Sequence, residues 1–379
     1  MSSINRSTLP QNFLDSVSSG IRLPTPEPQY FFAKMAMAQR LSLAALDAGL
    51  PTAQQFVSMA GGGAALPPDL AEMARAADAY PGGVFAIDQF GLGMGDTIKF
   101  RRDQYNGGGF DEASRTLVTN AAISTTGQAI SMEEVPVVLK QFYGPMAAGA
   151  TAPAPYQIPE FDAKYRAARE QLVSSSTRYL RRDYTKWLDA VIRSKFSATS
   201  NITYADPSVV TNVLGFTAGA GHLLSLETIM AARKAISDRE WQRFPNGRYM
   251  LVVPTKFNTD MLGDIDYREL SCVHEDGRNL LYGYIASVQD IDIFECTTLK
   301  TYAAADGAVP GDTNTVPANV TVQESIMFGP GAVGFGTALA PECRWADDTN
   351  YGTLAKCIWY ALHAFELLDA RGVQRILSQ

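Results

Sequence analysis

Residues 159–198 limit the fold more than any other stretch. Phe161, Tyr165, Ala168, Leu172, Tyr179, Tyr184, Trp187, Val191 and Phe196 recur close to the roughly 3.6-residue period of an amphipathic helix. Pro159 suits a first helical turn. Glu160 and Asp162 open the segment, and Arg193 and Lys195 close it, an order of charge that favours the helix dipole. The spacing predicts a helix over 159–198, roughly 55–60 Å long at about 1.5 Å per residue.

The same segment is basic. It holds nine Lys and Arg against five Asp and Glu, a balance of +4 in a chain of net charge −7, which leaves −11 elsewhere. Arg178, Arg181 and Arg182 are interleaved with Tyr179, Leu180 and Tyr184, a pattern that could touch nucleic acid. Solvation and salt-bridging of an outer helix face account for the same charges, and helix packing for the same aromatics. An acidic chain with pI near 5.1 is otherwise a poor sequence-independent DNA binder, because Lys and Arg drive that binding by neutralising phosphates. Charged residues are only 19% of the chain, below the roughly 25% usual for globular proteins. Much of the surface is therefore expected to be covered, most simply by identical subunits.

Residues 95–140 predict a long two-stranded excursion. Asp96-Thr97-Ile98-Lys99-Phe100-Arg101 alternates polar and apolar, as a half-exposed strand does. Gln128–Met132 and Val135–Leu139 read as the returning strand, with Pro136 marking an edge position. Gly107-Gly108-Gly109 and a Ser/Thr/Asn-rich run to Thr126 lie between. Such a connection is unusual inside a compact domain and fits a loop that projects to pack on another chain. Lys99, Arg101 and Arg102 on the outgoing strand, and Glu133 and Glu134 on the return, are the expected inter-subunit contacts. Their opposite signs suit pairing between chains.

Residues 1–80 read as an arm with short helices. Pro24, Pro26 and Pro28 impose an extended path. Helices are expected over Tyr30–Leu50 and Asp69–Ala79, separated by Gly61-Gly62-Gly63 and Pro67-Pro68, with no dense core of their own. After Asp206-Pro207 the pattern is mixed α/β. A helix over Ser225–Arg239 has Ser225 as N-cap, and Tyr249–Val253 is an apolar strand. A helix over Thr255–Leu262, a strand over Ile285–Phe294 and a polar loop at 303–318 follow. Strands are expected over Val320–Phe328 and Ala332–Ala338. Leu354–Leu368 is apolar enough for strand or helix, and periodicity leaves both open. The N-terminal MSSINRSTLPQNF lacks the basic start and apolar run of a signal peptide. The uncharged stretch Ser325–Pro341 is Gly-rich and shorter than the roughly 20 residues of a membrane helix. A soluble, unexported protein is expected.

Catalytic constellations are missing from the pattern. His222, His274 and His363 form no HExxH, and no GxSxG occurs. Cys272, Cys296, Cys343 and Cys357 form no CxxC, so free thiols in a reducing cytosol are expected. Cys272 and His274, with Cys296 or His222, could hold a metal, although zinc-type spacing is tighter. Gly91-Leu92-Gly93-Met94-Gly95 lacks GK[ST] and precedes a strand, so it reads as a turn. Glu133-Glu134 and Asp347-Asp348 could serve as acid/base pairs, yet neighbours on a strand point to opposite faces. The expectation is no enzyme, no cofactor and no metal.

Three phrases resemble the major capsid proteins of tailed double-stranded DNA bacteriophages, in the podophage-like branch of the Hong Kong 97-type fold. They are GQAISMEEVPVVLKQFYGP (127–145), LVVPTKFNTDML (251–262) and MFGPGAVGFGTALAPECRW…CIWYALHAFELLDARGVQRI (327–376). The order of elements resembles that family too. The resemblance implies an α+β fold with residues 1–80 as N-terminal arm and 81–145 containing an extended hairpin loop at about 97–139. Residues 146–224 with 350–368 would be the peripheral domain on the spine helix 159–198, and 225–349 with 369–379 the mixed α/β axial domain. Leu354–Glu366 would then be a strand. The implied function is a structural subunit that self-assembles into pentamers and hexamers of an icosahedral shell around the phage genome. It would be made in the host bacterial cytoplasm and located in the virion. A separate scaffolding protein, a portal and decoration proteins would be its partners, with no membrane. Arg178, Arg181 and Arg182 would face packaged double-stranded DNA without sequence specificity. The alternatives are an encapsulin-type nanocompartment shell, marked by a cargo-binding pocket, and a metal-dependent enzyme, marked by metal at Cys272 and His274.

Overall fold

The computed structural model describes residues 30–47, 52–54, 68–88, 97–104, 131–146, 155–159, 169–206, 210–217, 221–257, 260, 284–349 and 354–379. Helices α1 (Phe31–Asp47) and α2 (Pro68–Ala79) lead to β1 (Phe85–Asp88) and to a ribbon of β2 (Thr97–Gln104) and β3 (Ser131–Val138). Short strands β4 (Lys140–Gly144) and β5 (Tyr156–Pro159) precede the long helix α3 (Arg169–Phe196). Then come β6 (Ile202–Tyr204), α4 (Leu226–Ser237), β7 (Tyr249–Val253), β8 (Tyr284–Val288), β9 (Ile291–Glu295) and β10 (Thr301–Ala303). The chain closes with β11 (Thr321–Phe328), β12 (Val333–Thr349), β13 (Leu354–Leu367) and β14 (Val373–Ser378).

These strands make two sheets and the ribbon. One sheet runs β1-β12-β13-β4, with β5 also paired to β13; the other runs β6-β14-β11-β7-β9-β8, with β10 on β11. The class is α+β, as the resemblance implies. Leu354–Leu367 is a strand, which resolves the ambiguity that its uniformly apolar composition left. Ser225 caps α4, its side chain accepting from the Thr228 amide at 3.3 Å.

The inner face of α3 follows the predicted stripe only in part. Leu180, Tyr184, Leu188, Ile192 and Phe196 are buried, and Trp187 meets Phe142, Trp359 and Phe365 of the first sheet at ring separations of 4.6, 5.0 and 5.9 Å. Tyr179 instead points outward, 59% exposed. Pro159, the first residue of the predicted helix, is not helical. Pro159 ends β5 and pairs with Leu354 of β13. A proline at a strand end gives up no needed ladder donor, so it suits that place as well as a helical first turn. The 28 described residues of α3 span about 42 Å. Residues 160–168 lie outside the described residues.

The N-terminal helices borrow a core instead of making one. Phe31 and Phe32 open α1 and are almost fully buried between the sheets, with Phe31 at 5.2 Å from Phe294 and Phe32 at 5.3 Å from Phe196. Tyr80, just after α2, packs edge-on against Phe244 and Phe294. Each buried Phe contributes roughly 1.5–3 kcal/mol of transfer free energy.

Two further boundaries differ from the expected ones. Residues 285–294 are not one strand. Gln289, at φ 52°, and Asp290 turn β8 back on β9 as an antiparallel pair. The turn lacks the Asn-Gly or Asp-Gly that usually marks it, so the two strands read as one alternation. The strand expected over Ala332–Ala338 continues to Thr349. Register shifts between Thr337 and Leu339 and between Leu339 and Glu342 let it pass Pro341. Of the helix expected over Thr255–Leu262, residues 256, 257 and 260 are helical, and 258, 259, 261 and 262 lie outside the described residues. Among the described residues no helix is long and apolar enough to cross a membrane.

Candidate assembly surfaces

The ribbon is two-faced because its strands alternate. β2 and β3 pair in register from Thr97↔Val138 to Gln104↔Ser131. Ile98, Phe100 and Val137 turn inward and are buried, whereas Lys99 and Glu134 are exposed and Val138 is 53% exposed. The buried face forms a small cluster with Ala364 of β13, separate from the main core. Residues 105–130, the tip of the predicted excursion, lie outside the described residues.

Of the five residues expected at subunit contacts, two pair within the chain. Lys99 Nζ lies 2.7 Å from Glu134 Oε2, with side chains 60% and 37% exposed. The register sets Arg101 opposite Glu134 and Arg102 opposite Glu133. Opposite signs on facing strands thus already suit pairing inside the ribbon. An exposed pair of this kind contributes about 0–1 kcal/mol.

The α3 helix sorts its charges by side. Arg178, Arg182 and Lys186 are exposed at four-residue steps, so they share one ridge, and Arg181 beside it is half-buried. The acids Asp183 and Asp189 turn inward. Asp183 accepts a hydrogen bond from Trp359 Nε1 at 2.7 Å. Asp189 accepts from the Phe32 and Ala33 amides at 2.8 and 3.1 Å and from the Thr298 hydroxyl. Burial pushes the Asp189 carboxyl up to about 6, opposed by hydrogen bonds from Thr298, Ala33 and Phe32 and by the nearby Arg193 guanidinium.

Two more buried carboxylates fasten the sheets to their surroundings. Glu324 and Arg375 form an ion pair in which neither side chain reaches solvent. Glu324 also accepts from Ser197 at 2.9 Å and Tyr302 at 3.2 Å, and Arg375 donates to the Thr199 carbonyl at 3.4 Å and to that of Pro310. Burial, then the Glu324 charge, pushes the Tyr302 phenol up to about 12. Asp292 accepts from the Tyr80 hydroxyl at 2.7 Å and from Arg248 at 2.8 Å, and burial, then Asp292, raises the Tyr80 phenol. The sequence reading overlooked all three acids. The available signal was a charge inside an apolar strand, in Glu324 of TVQESIMF and Arg375 of VQRILS.

Cys272, His274 and Gly91–Gly95 lie outside the described residues. Cys296 is buried with its thiol 3.1 Å from the Thr298 hydroxyl, and burial pushes it up to about 11. His222 lies 3.8 Å from Asp206. Among the described residues no group of three His, Cys, Asp or Glu could hold a metal.

Two sheets, a long helix laid across one of them, a ribbon seated on its other side and a chain that returns late to both define the Hong Kong 97-type capsid fold. The capsid of Ralstonia phage GP4 matches with TM-score 0.56 at 10% identity, over 78% of this chain and 86% of that one. The capsid of cyanophage Pam1 matches with TM-score 0.55 at 12% identity, over 80% and 91%. The head structure of Helicobacter pylori bacteriophage KHP40 matches with TM-score 0.52 at 11% identity, over 80% and 88%. No protein-family model and no curated protein matches the sequence.

Proposed function

We propose that this chain is the structural subunit of a phage capsid shell, assembling into pentamers and hexamers around double-stranded DNA, and that it does no catalysis. One observation supports this reading above the rest: the shared fold spans 86–91% of three phage capsid or head chains and about four-fifths of this one. Flat subunits with a projecting ribbon make heterologous contacts, and such contacts close into rings. In this reading the ribbon, with Lys99, Arg101, Arg102, Glu133 and Glu134, lies against a neighbouring copy. The ridge of α3, with Arg178, Arg181 and Arg182, faces packaged DNA by charge alone. A separate scaffolding protein, a portal and decoration proteins complete the virion.

The test is sedimentation of the purified chain, with and without a co-expressed scaffold candidate, and negative-stain imaging of each fraction. Closed shells, curved sheets or rings are expected. A compact monomer or dimer of low frictional ratio in both preparations would end the reading.

A further inference from the structure

We infer that Gly334 and Gly336 are positioning residues that set the direction in which the β2–β3 ribbon leaves the body, and hence where it meets a neighbouring copy; this rests on the shell reading above. β12 is an interior strand, with β1 on one side and β13 on the other. Val333, Phe335 and Thr337 are buried, and Phe335 stacks on Phe365 at 5.2 Å and lies 5.1 Å from His363. The alternate positions, Gly334 and Gly336, face the opposite side, where the ribbon lies. A Cβ on Gly336 would meet Ile98 Cδ1, the tip of that side chain, at 2.3 Å and Ala364 Cβ at 3.4 Å, so a larger side chain there must displace Ile98 from its seat. On Gly334 it would meet the Phe100 ring at 2.9 Å and Leu368 Cδ1 at 3.1 Å. Neither glycine has a positive φ, so space rather than backbone conformation selects them. Glycine within a strand is destabilising and marks close approach of another element. Ala364, the register partner of Gly336 on β13, extends the same low floor.

Two features make this a seat rather than ordinary packing. The cluster of Ile98, Phe100, Val137 and Ala364 is separate from the main core, so the ribbon can shift without unpacking the body. The contact also lies at the root of the ribbon, so a small displacement there moves the far end of the lever by more.

The test places spin labels at Lys99→Cys on the ribbon and Ser194→Cys on α3. It compares the distance distribution in the free subunit with and without Gly336→Val, and in parallel records shell yield and diameter by electron microscopy. The distribution is expected to shift while circular dichroism is retained, and shells to fall to background or change diameter. Adding Ile98→Ala to Gly336→Val is expected to restore both. Gly334→Ala, whose Cβ would meet the buried Phe100 ring at 2.9 Å, replaces the valine variant if that one does not fold. An unchanged distribution overturns the inference, as does a shifted one with shells of normal yield and diameter. If the parent chain forms no shells even with a co-expressed scaffold candidate, the shell reading fails, whereas an unchanged spin-label distance in the free subunit overturns the positioning role by itself.

Discussion

The Asp189 carboxylate accepts a hydrogen bond from the Phe32 amide at 2.8 Å, joining residues 157 positions apart. With the Ala33 amide at 3.1 Å, the contact supplies α1 with an N-cap from another helix. Removing it in Asp189→Ala leaves two buried donors without this acceptor and is expected to cost about 1–3 kcal/mol. Its titration has a definite sign. The folded value, about 6, lies above the ordinary 3.8, so the contribution to stability is fully present below pH 3.8 and is lost as pH rises through 6. The span corresponds to roughly 3 kcal/mol. Denaturant titrations across this window should show a falling component in the parent chain that Asp189→Asn lacks. Parallel pH profiles would contradict it.

His363 titrates in the opposite sense. It is fully buried among Tyr184, Trp187, Phe335 and Phe365, with Nε2 hydrogen-bonded to the Tyr184 hydroxyl at 2.8 Å. Burial, then the Arg40 charge, pushes its imidazole down to about 3 from 6.5. Stability from the neutral ring is present above pH 6.5 and declines as pH falls towards 3, by up to about 5 kcal/mol. The imidazole resonances of His363 should therefore stay unchanged between pH 8 and 4.5 by NMR. A midpoint near 6.5 would show that the ring is not enclosed as described.

The buried pair Glu324–Arg375 separates net worth from the penalty of breaking it. Arg375→Met leaves Glu324 charged and uncompensated, at an expected cost of about 3–5 kcal/mol. Replacing both, as Glu324→Leu with Arg375→Met, should recover much of that loss. A double-mutant cycle by urea denaturation measures the coupling, and additive single effects would exclude it.

Reversing Arg181 and Arg182 to Glu tests the DNA-facing proposal. Arg182 is exposed and Arg181 half-buried, so the melting temperature of the free subunit is measured alongside to separate any loss of stability. Particles should form at normal yield but retain less DNA, read as the ratio of ultraviolet absorbance at two wavelengths in purified shells. Unchanged DNA content would remove the ridge from any role in genome contact.

Exchanging the charges at Arg101 and Glu133 tests the ribbon contact. If the two meet a neighbouring copy, assembly yield should fall while the free subunit unfolds at the same temperature. Equal yields would confine these charges to the ribbon itself.

Local signals carried most of the architecture. The strand at Tyr249–Val253 and the cap at Ser225 rest on a few adjacent residues, and both are where the pattern puts them. The ribbon was legible for the same reason, since Ile98, Lys99 and Phe100 alternate between buried and exposed. What escaped depends on partners distant in sequence. Pro159 fits a helix start or a strand end equally, and only its pairing with Leu354 decides. The turn at Gln289 is set by one positive φ that its residue type does not announce. Among candidate site residues, charge alone marked Lys99 and Glu134, but a diagonal contact across the ribbon makes them partners of each other. Asp189 looked like one more charge on a basic helix, because nothing near it in sequence hints that α1 starts there.

The wedge of α1 between the sheets has a consequence for synthesis. Phe31 and Phe32 leave the ribosome early, but Phe32 also needs Phe328, at a ring separation of 6.4 Å. Roughly 280 residues separate the end of α1 from that partner, which is about 15–60 s of translation at about 5–20 residues per second. Asp189 and Phe196 are made earlier and give α1 part of its seat, but until Phe328 follows the buried face lacks a native partner and is open to chaperones or to the wrong neighbour. The packing of the first described helix to emerge is thus complete only once β11 has been made.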